Sequence, residues 1–177
     1  DVRKVVDICL ERGGNLSLIF SPKHRDSDGF NVHQIRGTYY SLLGNDDDAY
    51  LAARAIQFFT PGVPQVYYVG LLAGENDEEG AKKSGEGRDI NRHNYTMEEI
   101  EQSTTRDVVQ RLLKLIRFRN EYPAFSGEFM ALDSPQNEVR LFWKKDDKKC
   151  MLKIDLNEIQ TVIEYINDQG RLSKYLV

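Results

Sequence analysis

Apolar residues recur at helical spacing from the first positions. Val2, Val5, Val6, Cys9 and Leu10 share a face and Gly13-Gly14 ends the run, which predicts a helix over Asp1 to Arg12. Leu16 to Phe20 is a short apolar run of open type, and Ser21 to Asn31 is a polar loop. Thr38 to Leu43 is apolar again, either a helical turn or a packed segment. Asp46, Asp47 and Asp48 open a helix that runs to Phe59, since carboxylates suit the positive end of the helix dipole, and Thr60-Pro61-Gly62 stops it. Gln65 to Val69 is apolar throughout, β-branched and aromatic, the pattern of a strand buried on both faces of a parallel sheet. From Gly70 to about Thr104 glycines and charges dominate, which reads as a long loop of the kind that carries function. Thr105 to Tyr122 is the strongest helical pattern, with Val108, Val109, Leu112, Leu115 and Ile116 on its packed face and Pro123 closing it.

After Phe125 the texture changes. Glu138 to Trp143, Met151 to Leu156 and Thr161 to Ile166 are short strand patterns, separated by the hairpin signals Lys144 to Lys149 and Asn167 to Gly170. They predict an antiparallel β module. The order helix, buried strand, loop, helix and β module is that of an α/β chain: the end of a barrel followed by a β cap. Trp143 sits mid-strand and is assigned to the core, as are Tyr39, Tyr40, Tyr67, Tyr68 and Phe58 rather than to a sugar-stacking platform.

Composition narrows the function classes. The chain has 177 residues, 40% apolar and 29% charged, with a net charge of -4. Basic and acidic residues are interspersed, so no face reads as a nucleic-acid stripe. No apolar run approaches the roughly 18 residues of a membrane span, and no secretory leader opens the chain, which starts without methionine directly in helical pattern, as a piece of something longer would. The two cysteines, Cys9 and Cys150, lie in apolar stretches and are expected as reduced, buried thiols of a cytoplasmic protein.

Two loops carry candidate chemistry. Asn31-Val32-His33-Gln34, just after Gly29, is a ligand loop or a solvated turn. Gly87 to His93 gathers Arg88, Asp89, Asn91, Arg92 and His93 after the predicted buried strand. Loops in that position form the active site of barrel enzymes, and arginine holds a phosphate or sugar diol with paired hydrogen bonds. The competing reading is an ion-pair knot of Arg88 or Arg92 with Asp89. His24 and His33 lack the spacing and support of a metal site, Gly74 to Gly80 lacks that of a calcium loop, and Ser41 has no triad partners.

The stretch from His33 to Asp77, HQIRGTYYSLLGNDDDAYLAARAIQFFTPGVPQVYYVGLLAGEND, with GRDINRHNY after it, resembles the sucrose phosphorylases of the α-amylase-like glycoside hydrolase family 13. The resemblance is dense from Asn31 to Asn120 and fades through the β module. It implies the C-terminal part of a (β/α)8 barrel followed by a small antiparallel β domain. Residues 1–40 would belong to an insertion after strand seven, 41–124 to the end of the barrel with Gln65 to Val69 as its eighth strand, and 125–177 to the β domain.

The resemblance further implies phosphorolysis of sucrose to α-glucose 1-phosphate and fructose by a retaining double displacement. No catalytic residue is expected in this chain, because nucleophile and acid/base would lie upstream of Asp1. The substrate-binding residues it implies are Asn31, Val32, His33, Gln34 and Arg88, on the acceptor and phosphate side, with inorganic phosphate as co-substrate and no cofactor or metal. Where the family loop reads Asp-Leu-Tyr-Gln, this chain has Asn31-Val32-His33-Gln34. Losing a carboxylate and gaining an imidazole favours a phosphorylated acceptor, so a branch acting on sucrose 6′-phosphate stands as the alternative. A non-catalytic sugar-binding or dimer-forming module is the reading from a different class, and a homodimer of the longer enzyme is left open.

Overall fold

The computed structural model describes residues 2–14 and 35–177. Its helices are α1 (Val2–Glu11), α2 (Tyr39–Leu42), α3 (Asp47–Phe59), α4 (Tyr68–Leu71), α5 (Glu78–Ser84), α6 (Met97–Thr105) and α7 (Asp107–Glu121). Its strands are β1 (Glu128–Ala131), β2 (Glu138–Lys145), β3 (Lys148–Asp155), β4 (Gln160–Ile166) and β5 (Leu172–Leu176), and 3-10 turns occupy Gly87–Asn91 and Pro123–Ser126. Among the described residues no helix is long and apolar enough to cross a membrane. The chain divides into two units, each built from two stretches: Asp1–Asp46 with Tyr67–Ser103, and Asp47–Val66 with Thr104–Val177.

The second unit is a five-stranded antiparallel meander in the order β1-β2-β3-β4-β5, with α3 and α7. Strand period explains the sheet: β3 turns Cys150, Leu152 and Ile154 inward and Lys149, Met151 and Lys153 outward. Pairing of Lys145 with Lys148 leaves Asp146-Asp147 as a two-residue turn, where Asp146 adopts φ 52°. Short polar side chains tolerate that region better than others do. Helix α3 packs on the sheet and α7 packs on α3; α3 buries Leu51, Ala55 and Phe58, and α7 buries Val108, Leu112 and Leu115, each at helical spacing. Trp143 is 5% exposed, and its indole N–H donates to the carbonyl of Phe59 at 2.7 Å, so the tryptophan is core, as expected. The Arg119 guanidinium lies 4.4 Å from the Phe125 ring centroid and 5.3 Å from that of Trp143, and donates to Gly62 O at 3.1 Å. Cys150 is a free, buried thiol, and burial pushes its pKa up to about 12, which leaves it unreactive; Cys9 is half-buried.

In the first unit one asparagine joins three segments. Asn76 Nδ2 donates to Gly13 O at 3.1 Å, just past the end of α1, and its Oδ1 accepts from Thr38 N at 2.7 Å. Its own backbone N–H donates to Ser41 Oγ at 3.0 Å. Next to it Asp77 caps α5 by accepting from Gly80 N at 2.7 Å. The acidic run from Gly74 to Gly80 is therefore a joint and a helix start, and Ser41 is a structural hydroxyl.

Several expectations are corrected. Gln65 to Val69 is not a paired strand here: residues 64–67 are unassigned to any ladder and Tyr68 begins α4, with Leu71 N donating to Tyr67 O at 2.9 Å. A parallel strand exists only through its neighbours, and none of the described segments lies beside this one in a sheet. Gly70 to Thr104 is not an open loop, since α4, α5, a 3-10 turn and α6 occupy most of it. Thr38 to Leu43 contains a helical turn, α2. Tyr40 and Phe58 are buried, but Tyr39, Tyr67 and Tyr68 are exposed. The edge strands β1 and β5 are additions to the predicted three, because their short, mostly exposed sequences lack a clear apolar alternation.

The indole–carbonyl bond gives a direct test of the second unit. Replacing Trp143→Phe keeps an aromatic ring but leaves a buried carbonyl without its donor, which should lower stability by about 1–3 kcal/mol. Leu152→Ala, at a fully buried position, should lower it by about 2–5 kcal/mol. Urea unfolding of the two variants reads both values, and unchanged midpoints would contradict this packing.

Candidate functional site

The four residues Asn31, Val32, His33 and Gln34 lie outside the described residues. Arg88 is described: it sits in the 3-10 turn Gly87–Asn91, its side chain 55% exposed, with Nε 3.6 Å from Glu86 Oε2. The ion-pair reading of the sequence paired Arg88 or Arg92 with Asp89, whereas the carboxylate beside Arg88 is that of Glu86. So long and exposed a pair contributes about 0–1 kcal/mol, so Arg88 is not held there by structural need.

The turn is anchored at both ends. Asp77 N donates to Ile90 O at 2.8 Å, tying the start of α5 to the turn. Three residues further on His93 stands between two carboxylates, with Nδ1 2.8 Å from Asp77 Oδ2 and Nε2 3.2 Å from Glu99 Oε1. Glu99 belongs to a capping box at the start of α6: it accepts from Thr96 N at 2.6 Å while Thr96 Oγ1 accepts from Glu99 N at 3.2 Å. The Tyr68 hydroxyl donates to His93 O at 2.9 Å, and the Tyr95 ring meets the imidazole edge-on, with centroids 4.7 Å apart. These contacts move the pKa values in opposite directions. The hydrogen bond to Asp77, helped by Glu99 and opposed by partial burial, raises that of His93. The bond from His93 and the N–H of Gly80 lower that of Asp77. Glu99 is lowered first by the Thr96 N–H and hydroxyl, then by His93.

Beside this anchor lies a cleft of about 730 Å³. Its lining includes Tyr67, Tyr68, Lys83, Asp89, Arg92 and Asn94, together with Asp77. Two cations, two carboxylates, an amide and a pair of tyrosines 4.5 Å apart form a polar wall of balanced formal charge, suited to a small, hydroxyl-rich ligand. A second cleft of about 670 Å³ is lined by Glu11, Glu75, Asp77, Glu78 and Glu79 against Arg12 alone, and its charge repels anions. Arg88 is outside the lining of both, on the same turn as Asp89.

The sequence reading singled out Arg88, Asp89, Arg92 and His93 as a crowd but missed the order within it. It also missed Lys83, Asn94 and the role of Asp77. A signal was present: an aspartate, seven helical residues and then Gly85, which takes φ 74° as a helix C-cap, mark α5 and place two lysines at its end.

No protein-family model matches the chain. It is 66% identical, over 99% of its length, to a sucrose 6(F)-phosphate phosphorylase of Thermoanaerobacterium thermosaccharolyticum. A glucosylglycerol phosphorylase of Marinobacter adhaerens is 51% identical over 82% of the chain, and a sucrose phosphorylase of Agrobacterium vitis 45% identical over 77%. The chain spans 36%, 30% and 28% of the lengths of these relatives. A crystal structure of sucrose 6F-phosphate phosphorylase from Thermoanaerobacter thermosaccharolyticum superposes with a TM-score of 0.93, covering 99% of this chain and 36% of that one. The agreement supports the expected architecture, a C-terminal part of a barrel enzyme ending in an antiparallel β domain.

The geometry separates a position held by tight packing from an exposed one. A Cβ at Gly74 would collide with the Tyr95 hydroxyl and lie 2.8 Å from Val69 Cγ1. Gly74→Ala should therefore displace Tyr95 and cost about 1–3 kcal/mol, whereas Arg88→Ala should change stability by less than about 1 kcal/mol. Thermal unfolding ranks the two; an Arg88→Ala loss as large as that of Gly74→Ala would make the arginine structural.

Proposed function

Since this chain belongs with the sucrose phosphorylase group of glycoside phosphorylases, over the third of their length that it spans, we propose that it forms the acceptor- and phosphate-binding side of such an enzyme. The observation that carries this is the 66% identity to a sucrose 6(F)-phosphate phosphorylase along 99% of the chain. The complete enzyme would convert sucrose 6′-phosphate and phosphate reversibly into α-glucose 1-phosphate and fructose 6-phosphate. Plain sucrose as donor is the second reading, favoured by the 45% identity to a sucrose phosphorylase.

In this reaction the glycosidic C1–O bond breaks as an acid protonates the leaving fructosyl oxygen, and C1 bonds to an enzyme carboxylate. A phosphate oxygen then attacks C1, the enzyme ester breaks, and the acid group, now a base, takes up the phosphate proton. Retaining chemistry of this kind needs two carboxyl groups roughly 5 Å apart. The reading assigns them to a part of the enzyme outside this chain, so the isolated chain is expected to be inactive. Phosphate must outcompete water for C1, which requires fixed donors aimed at its oxygens. Arg88, with Arg92 and Lys83 at the adjoining cleft, supplies charge of the right sign. His33 stands where the family loop carries tyrosine, and an imidazolium there attracts a phosphorylated fructose.

The experiment follows glucose 1-phosphate formation by the complete enzyme. Omitting phosphate should abolish it, and sucrose 6′-phosphate should be preferred to sucrose. His33→Tyr should erode that preference by about tenfold, the factor that about 1.4 kcal/mol of lost interaction gives. Arg88→Ala should lower catalytic efficiency by the equivalent of about 1.5–3 kcal/mol, one charge-assisted hydrogen bond. Better turnover of plain sucrose by the unmodified enzyme would hand the assignment to the second reading. Absence of glucose 1-phosphate with either donor would remove both in favour of a non-catalytic module.

A further inference from the structure

A neutral imidazole carries one N–H. In this structure both ring nitrogens of His93 face carboxylate oxygens, at 2.8 and 3.2 Å. Were the ring neutral, one of these contacts would set a nitrogen lone pair against a carboxylate lone pair. The arrangement is therefore that of an imidazolium donating to Asp77 and Glu99. Each carboxylate opens a helix, Asp77 at α5 and Glu99 at α6, so a single proton joins both helices to the segment that bears Arg88 and Arg92.

The same proton sets the charge of the cleft. Its wall holds Lys83 and Arg92 against Asp77 and Asp89, a formal balance of zero. His93 lies behind Asp77 and offsets that carboxylate while it is charged. Facing His93 are Asp77 at the start of α5, Glu99 on α6, the Tyr68 hydroxyl from α4 and the Tyr95 ring. Arg92 and Asp89 lie on its own segment. We propose that protonated His93 is a positioning residue for this cleft, holding the Arg88–Asn94 segment and screening Asp77, so that phosphate binds well only while His93 is charged. This rests on the phosphate-binding reading above.

The pH window follows from the directions of the shifts. The pKa of His93 is raised above the ordinary 6.5, so its contribution is complete below 6.5 and is lost as pH climbs through the raised value. Asp77 and Glu99 are lowered from 3.8 and 4.5, so theirs is complete above those values and lost as pH falls through the lowered ones. The clamp is whole from weakly acidic pH to somewhat above 6.5.

The test uses the complete enzyme, inorganic phosphate as probe, and two readouts. Ring-nitrogen NMR with labelled histidine, assigned by loss of a signal in His93→Gln, should show both nitrogens of His93 protonated at about pH 6.5, the ordinary histidine pKa. Calorimetric titration with phosphate should give a dissociation constant that rises above the His93 transition by roughly tenfold per pH unit, as the charged fraction falls. Glu99→Gln keeps a capping-box residue but removes a charge, so it should shift both the ring titration and the onset of weakened binding to lower pH. Phosphate's own ionisation is common to all variants and cancels in their ratio. A ring that titrates at or below about 6.5, or a binding profile identical in the unmodified enzyme and Glu99→Gln, would overturn the proposal. If no glucose 1-phosphate forms but phosphate binding follows His93, the catalytic reading fails and this one stands.

Discussion

An imidazole ring held between two carboxylates can satisfy both only as a cation, and His93 is in that position between Asp77 and Glu99. Much of the first unit depends on it. Asp77 begins α5 and is joined through Ile90 to the turn that carries Arg88. Glu99 closes the first turn of α6. Tyr68 and Tyr95 pack around the ring, and Gly74 leaves room for the Tyr95 hydroxyl. Short-range caps and the contacts of His93 with Asp77 and Glu99 order this glycine-rich, charged segment. Such bonds are individually modest where water reaches them. Their effect is to fix the direction of the Arg88–Asn94 segment.

The second unit answers to a different constraint, the burial of one face of a sheet. Leu141, Trp143, Cys150, Leu152, Ile154 and Ile163 are buried in a sheet covered by α3, on which α7 packs in turn, and the outward positions are free to carry lysines and glutamates. Its interior holds an inert thiol and a tryptophan whose N–H is spent on a backbone carbonyl. The clefts described above lie in the first unit, on short helices and turns.

How much of this was legible in the sequence depended on the range of the forces involved. Helices α1, α3 and α7 were visible because apolar spacing and caps are local, and the two hairpins were visible because Asp146-Asp147 and Asn167 to Gly170 are local turns. The segment from Gly70 to Thr104 misread as a loop because its helices are short and mostly exposed, leaving little apolar period. The caps at Asp77, Thr96 and Gly85 were the available signal. Gln65 to Val69 has the composition of a buried strand, but composition cannot supply the neighbouring strands that make one. At the site, the Asn31 to Gln34 loop and the Arg88 turn stood out from their residue types and the resemblance supplied their roles, while the pairing of His93 with Asp77, 16 residues away, and with Glu99 needed three-dimensional structure.

The central claim is that the Arg88–Asn94 segment faces phosphate in a glycoside phosphorylase. Hydrogen–deuterium exchange of the complete enzyme, with and without saturating inorganic phosphate, addresses it directly. The account predicts slowed amide exchange across residues 86–96 when phosphate is present, and unchanged exchange in the strands β1 to β5. Unaltered exchange across 86–96, in an enzyme that demonstrably uses phosphate, would contradict it.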